Sequence, residues 1–147
     1  MSRFGVADRT TAALSTTLPG ASLFAPAGGD IRVREIGVFN TTEMTFAMTV
    51  RRLSTTGTRG AALTVFSYDQ GSMPPLGTAY AAHPSGAPTI VAGTLRYGDM
   101  GGVVGAGHVW TFGENELVIS AGGTNGIGLL LAAGTGRVID FYIDWDE

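Results

Sequence analysis

The sequence predicts an all-β chain, folded as one antiparallel β-sandwich of about eight strands. Three observations carry this. Apolar residues recur with a period of two wherever a period is legible, and no long stretch presents a helical face. The 147 residues include 23 Gly and 18 Thr, residues suited to turns and to pleated, half-buried surfaces. Turn signals separate the candidate strands at intervals of about 8–15 residues, the spacing of sandwiches and closed barrels. The length suits one domain over residues 1–147, since two cores would not fit.

Residues 1–25 precede the first clear alternation and are read as an extended arm. Ile31-Arg32-Val33-Arg34 alternates, but the apolar phase slips at Glu35-Ile36-Gly37-Val38-Phe39, as one extra residue in a β-bulge would cause. In the next strand Met44, Phe46, Met48 and Val50 should point inward, with Thr45 and Thr49 outward. Residues 61–68, 89–97, 108–112, 116–120 and 127–132 are further strand candidates. The clearest is residues 138–145: Ile139, Phe141, Ile143 and Trp145 share one face, and Asp140, Tyr142 and Asp144 the other. Residues 74–107 hold four of the six prolines and little pattern. They read as long surface loops with one or two short strands, and residues 71–88 and 99–107 are the candidate contact loops.

Composition excludes several functions. Without Cys there is no disulfide framework or thiolate metal site. A net charge of −3 with 44% hydrophobic residues argues against disorder, and all nine basic residues are Arg. An acidic balance gives no basic footprint for nucleic acid, and no window is apolar enough for a membrane span or signal peptide. Assembly in a cytoplasm is therefore expected, with no membrane and no specific nucleic acid as partner.

No residue is assigned as catalytic, cofactor-binding or metal-binding. His83 beside Ser85 lacks a nucleophile-elbow context, and His108 opens a strand before Trp110, where a packed or surface imidazole is expected. Glu114 and Glu116 flank a hairpin turn, and the Gly-rich pieces near residues 105, 122 and 134 lack the helix of a phosphate cradle. Asp140, Asp144 and Asp146 read as an acidic, interface-facing edge. Arg51, Arg52 and Arg59 are the candidate electrostatic anchors. Residues 1–96 carry +3 and residues 97–147 carry −6, so neighbouring subunits could pair Arg-bearing with acidic patches, unless the sandwich interleaves the two halves. Tyr68, Tyr80, Tyr97 and Trp110 are candidates for a sugar-stacking platform.

A longer pattern runs through Ala21-Ser22-Leu23-Phe24-Ala25, residues 34–42, Arg51-Arg52-Leu53-Ser54-Thr55-Thr56-Gly57-Thr58, Trp110-Thr111-Phe112-Gly113, Gly123-Thr124-Asn125-Gly126-Ile127-Gly128 and residues 140–147. In this order it resembles the small auxiliary virion proteins of tailed bacteriophages. The resemblance implies a jelly-roll-like sandwich in a non-enzymatic capsid decoration or minor capsid protein. It further implies a homo-oligomer, a trimer by analogy, bound to the major capsid protein and located in the virion. The alternative is a carbohydrate- or receptor-binding module of a phage fibre or spike.

Overall fold

The computed structural model describes residues 1–147, and its regular elements are all strands. They are β1 (Arg3–Arg9), β2 (Ala21–Phe24), β3 (Ile31–Asn40), β4 (Phe46–Leu53), β5 (Phe66–Ser67), β6 (Thr78–Tyr80), β7 (Arg96–Met100), β8 (Gly107–Thr111), β9 (Val118–Ile119), β10 (Gly126–Ala133) and β11 (Ile139–Asp146). One sheet runs β5-β1-β11-β3-β8, with β9 also on β3; the other runs β6-β2-β10-β4-β7. All pairings are antiparallel. The three shortest strands, β5, β6 and β9, are additions. The remaining eight are ordered first-eighth-third-sixth and second-seventh-fourth-fifth, which is the jelly-roll connectivity.

The period of two does what the sequence requires of it. From β11, Ile139, Phe141, Ile143 and Trp145 are buried, and they meet Val33, Ile36 and Val38 of β3 and Phe4 and Val6 of β1. Met48 and Val50 of β4, Leu23 of β2 and Ile127 and Leu129 of β10 close the same core from the second sheet. The expected bulge is present: Asp144 pairs with Glu35 but Trp145 with Val33, so Arg34 is the extra residue. It sends Val33 and Ile36 to the core and leaves both Arg34 and Glu35 on the outer face.

Several expectations are corrected. Residues 1–25 are not an arm: they supply β1, paired along its length with β11, and β2, paired with β10 and β6. Phe4 and Val6 alternate around Gly5, too short a pattern to stand out. All four residues of β2 are buried, so it has no polar phase. Met44 lies outside β4 and is exposed, whereas Thr49 is buried. Residues 61–68 hold only β5 and an isolated bridge from Ala62 to Tyr80, and residues 89–97 hold a bridge at Ile90 and the start of β7.

Thr49 is buried although it faces away from the core. β6 and β7 are opposite edges of the second sheet, and residues 81–95 form a strap that connects them. Its last part lies beside β4 on the edge that β7 continues, where Val91 N–H donates to Arg52 O, Leu95 N–H to Val50 O and Ser54 N–H to Thr89 O. His83, 3% exposed, pins it at the other end. Its backbone N–H donates to Pro19 O, its Nε2 lies 2.9 Å from Ser22 Oγ, and its ring packs on Phe24.

Burial first, and the charge of Arg59 second, push the His83 pKa below its ordinary value. The unfolded chain therefore binds a proton near pH ~6.5 that the folded chain refuses. Stability is full above that pH and is lost as pH falls toward the folded-state value. Urea midpoints should fall between about pH 7.5 and 5 in the parent chain, and the slope should flatten in His83→Asn.

Candidate functional site

Two surfaces are shaped by the fold, and the first is the outer face of the β1-β11-β3 ladder. Residues of alternate parity stand side by side there. Arg3 faces Asp146, Gly5 faces Asp144, Asp144 faces Glu35, and Arg9 faces Asp140. Asp146 is 5% exposed and accepts from Arg3 Nε at 3.1 Å and from Arg34 Nε. Burial pushes this carboxyl up, but the two guanidinium groups outweigh it and hold it below the usual range. Asp140 is lowered by the bidentate donation of Arg9, at 2.6 and 3.0 Å.

Asp144, two residues earlier on the same face, is pushed the other way. Burial raises it most, and the neighbouring Glu35 charge adds to this, against the hydrogen bond from Tyr68 and the charge of Arg3. Its Oδ2 accepts from Tyr68 Oη at 2.9 Å, while Oδ1 is buried without a partner. Gly5 makes this possible: a Cβ there would lie 2.5 Å from Asp144 Oδ1 and 2.7 Å from the Phe66 ring. Gly37 likewise leaves room for Tyr142, whose ring covers it and whose hydroxyl donates to Glu35 Oε1 at 2.5 Å. Burial and the Glu35 charge raise the Tyr142 pKa, so it stays a donor. Arg3, Arg34, Glu35, Tyr68, Phe112 and Asp144 line a cleft of about 450 Å³. It offers donors and acceptors in alternation, fixed in place by one another.

The second surface lies at the end of the sandwich where β3 turns into β4 and β7 into β8. Buried Asn40 organises it. Its side-chain amide donates to Met44 O and Gly101 O, and its Oδ1 accepts from the backbone and hydroxyl of Thr42. Its backbone pairs with Ala106 and Gly105. The two loops so joined expose Met44, Val103 and Val104, at 54, 67 and 61%. Beside them a second concavity of about 450 Å³ is lined by Phe46, Tyr97, Met100 and Ala133 among others.

The sequence-derived candidates are distributed as follows. Asp140, Asp144 and Asp146 do share the outer face, but Asp140 and Asp146 are engaged within the chain. Arg51, Arg52 and Arg59 serve three separate tasks. Arg51 Nη2 reaches Val91 O in the strap, Arg52 Nη1 donates to Val118 O at 2.8 Å across the sheets, and Arg59 lies over the Tyr80 ring at 4.5 Å. Every salt bridge joins an Arg of residues 1–96 to an acid of residues 97–147, so the charge asymmetry is interleaved inside one subunit. The four aromatics form no common platform. Tyr80 and Tyr97 belong to opposite edges of the second sheet, Trp110 stacks on His108, and Tyr68 stands in the polar cleft.

His83 meets Ser22, not Ser85, and both members of that pair are sealed from solvent. His108 Nε2 lies 2.8 Å from Asp99 O. Glu116 caps its own turn through Gly113 N–H and Arg96. Sequence reasoning missed Arg3, Arg34 and Glu35 in the cleft. The phase slip at residues 34–35 was their one signal, because a bulge puts two consecutive residues on one side. No protein-family model matches the chain, and no curated protein matches it.

Buried Asp146 and half-buried Asp144 should answer amide substitution with opposite signs. Asp146→Asn removes the charge that satisfies two arginines and should cost about 2 kcal/mol at neutral pH. Asp144→Asn removes a charge that its surroundings disfavour and keeps an acceptor for Tyr68, so it should raise the urea midpoint at pH 7. That gain should fade as pH drops through the Asp144 titration, since the parent then becomes neutral there as well. Chemical denaturation of both variants at two pH values checks this.

Proposed function

We propose that this protein is a non-enzymatic structural subunit of a bacteriophage particle, a capsid decoration or minor capsid protein that binds copies of itself and the major capsid protein. The observation that carries the reading is the apolar end. Met44, Val103 and Val104 are large apolar side chains held in water on loops that Asn40 makes rigid. Contiguous exposed apolar surface marks interaction sites, and a preordered loop loses little entropy on docking. A ridge beside a concavity suits a heterologous contact, in which Val103 and Val104 of one copy enter the Phe46–Tyr97–Met100 hollow of the next and the ring closes as a trimer. Jelly rolls are used by capsid proteins and by lectins alike, so the fold supports the reading by analogy only. The resemblance in the sequence supplies the phage.

Contact between copies is apolar in this reading, because Met44, Val103 and Val104 carry it. Self-association measured by sedimentation should therefore change little between low and high salt. Val103→Asp together with Val104→Asp should weaken it by at least about tenfold while leaving the unfolding midpoint in place. In purified particles the chain should be present at high copy number. Its absence from particles overturns the reading, as does self-association that survives the double substitution.

A further inference from the structure

We propose that the polar cleft on the β1-β11-β3 face binds a neutral saccharide, its ring laid on Tyr68 and a pair of adjacent hydroxyls shared between Glu35 and Arg34. The volume of about 450 Å³ falls in the range of small-ligand sites. Its chemistry selects the ligand. Arg3 and Arg34 each spend Nε on Asp146 and leave their terminal amino nitrogens without protein partners. Glu35 spends one oxygen on Tyr142 and leaves the other free. The cleft thus presents free donors next to a free acceptor.

The charges around it are mixed. Arg3 and Arg34 stand against Asp146, Glu35 and Asp144. A simple anion would meet Glu35 and Asp144, and a simple cation would meet two guanidinium groups, so neither finds a lining of one opposite sign. A polyol suits such a lining, since each hydroxyl both donates and accepts. The bulge sets the spacing, because only there do two consecutive residues, one a donor and one an acceptor, face the same side.

The apolar face of a sugar ring also finds its counterpart. Tyr68 is 55% exposed although its hydroxyl is fixed on Asp144, and Phe66 supports it edge-on with ring centroids 5.3 Å apart. The ring is thus held in position with a face open to water. Every side chain in the site is braced by another before any ligand arrives, which lowers the ordering cost of binding. None of these residues belongs to the apolar end, so this site and the assembly surface stand or fall separately.

The test uses the full chain and a panel of soluble neutral oligosaccharides built on glucose, galactose, mannose and N-acetylglucosamine, with inorganic phosphate and free arginine as charged comparators. Amide chemical shifts and titration calorimetry are the readouts. At least one saccharide should shift the amides of residues 34–36, 66–68 and 144 and bind with Kd of about 1 mM or tighter. Tyr68→Ala and Glu35→Gln should each weaken it by at least about tenfold under conditions where circular dichroism shows both variants folded, and Tyr97→Ala, on the other sheet, should not. The proposal is overturned if no saccharide in the panel moves these amides at about 10 mM, if affinity survives both substitutions, or if phosphate or arginine binds there more tightly than every sugar.

Discussion

The strands β10 and β11 occupy the centres of their sheets, β10 between β2 and β4 and β11 between β1 and β3, and the remaining architecture depends on that double insertion. Each closes two ladders at once. The β11 ladder with β3 runs from Ile139–Asn40 to Asp146–Arg32, and that with β1 from Arg9–Asp140 to Arg3–Asp146. Because the side-chain period is two, a slip of one residue in either ladder would turn Trp145, Ile143 and Phe141 to solvent and drive carboxylates into the core. Burial of that apolar row therefore fixes register in both ladders. Register in turn decides which arginine meets which acid on the outer face.

The outer faces of the two sheets are finished differently. On the second sheet the strap covers Ser22 and Phe24 through His83, and Thr49 and Leu130 are buried on the same outer face. The first sheet is left open to water and carries a polar ladder. Glycine makes that ladder compact. At Gly5 and Gly37 the missing Cβ is replaced by the rings of Phe66 and Tyr142, which cover the bare backbone with aromatic surface; Tyr142 itself and Tyr68, packed on Phe66, are the two hydroxyl donors. The bulge at Arg34 adds the final asymmetry.

What could be read in advance follows from how each element is buried. The long half-buried strands β3 and β11 show their period because each has one apolar face, and the phase slip in β3 was visible for the same reason. β4 is largely buried on both faces but keeps Thr49 on its outer one, and β10, likewise buried, is an apolar run without alternation. β2 was invisible since it is buried on both faces, and β5, β6 and β9 are too short to show any period. Thr49 was assigned outward correctly, and it is buried there beside Leu130 of β10. For the cleft, the carboxylates of β11 were legible as a row. Their partners were not, since Arg3, Arg34 and Tyr68 lie at least 76 positions away and join them only through the ladder pairing. Val103 and Val104 of the apolar end lie within residues 99–107, one of the two loops proposed from the sequence as candidates for contacts.

The ion pairs have a temporal side as well. Each joins an early arginine to a late acid, and both central strands come from residues after 125. A chain emerging from the ribosome thus holds β1 to β4 and six arginines long before either sheet has its middle. During that interval the strands have unpaired edges. Residues 1–125 carry eight arginines against eight acids, so the last two strands bring the missing ladders together with the subunit's whole net charge of −3. The jelly roll is closed by the segment that also makes it anionic.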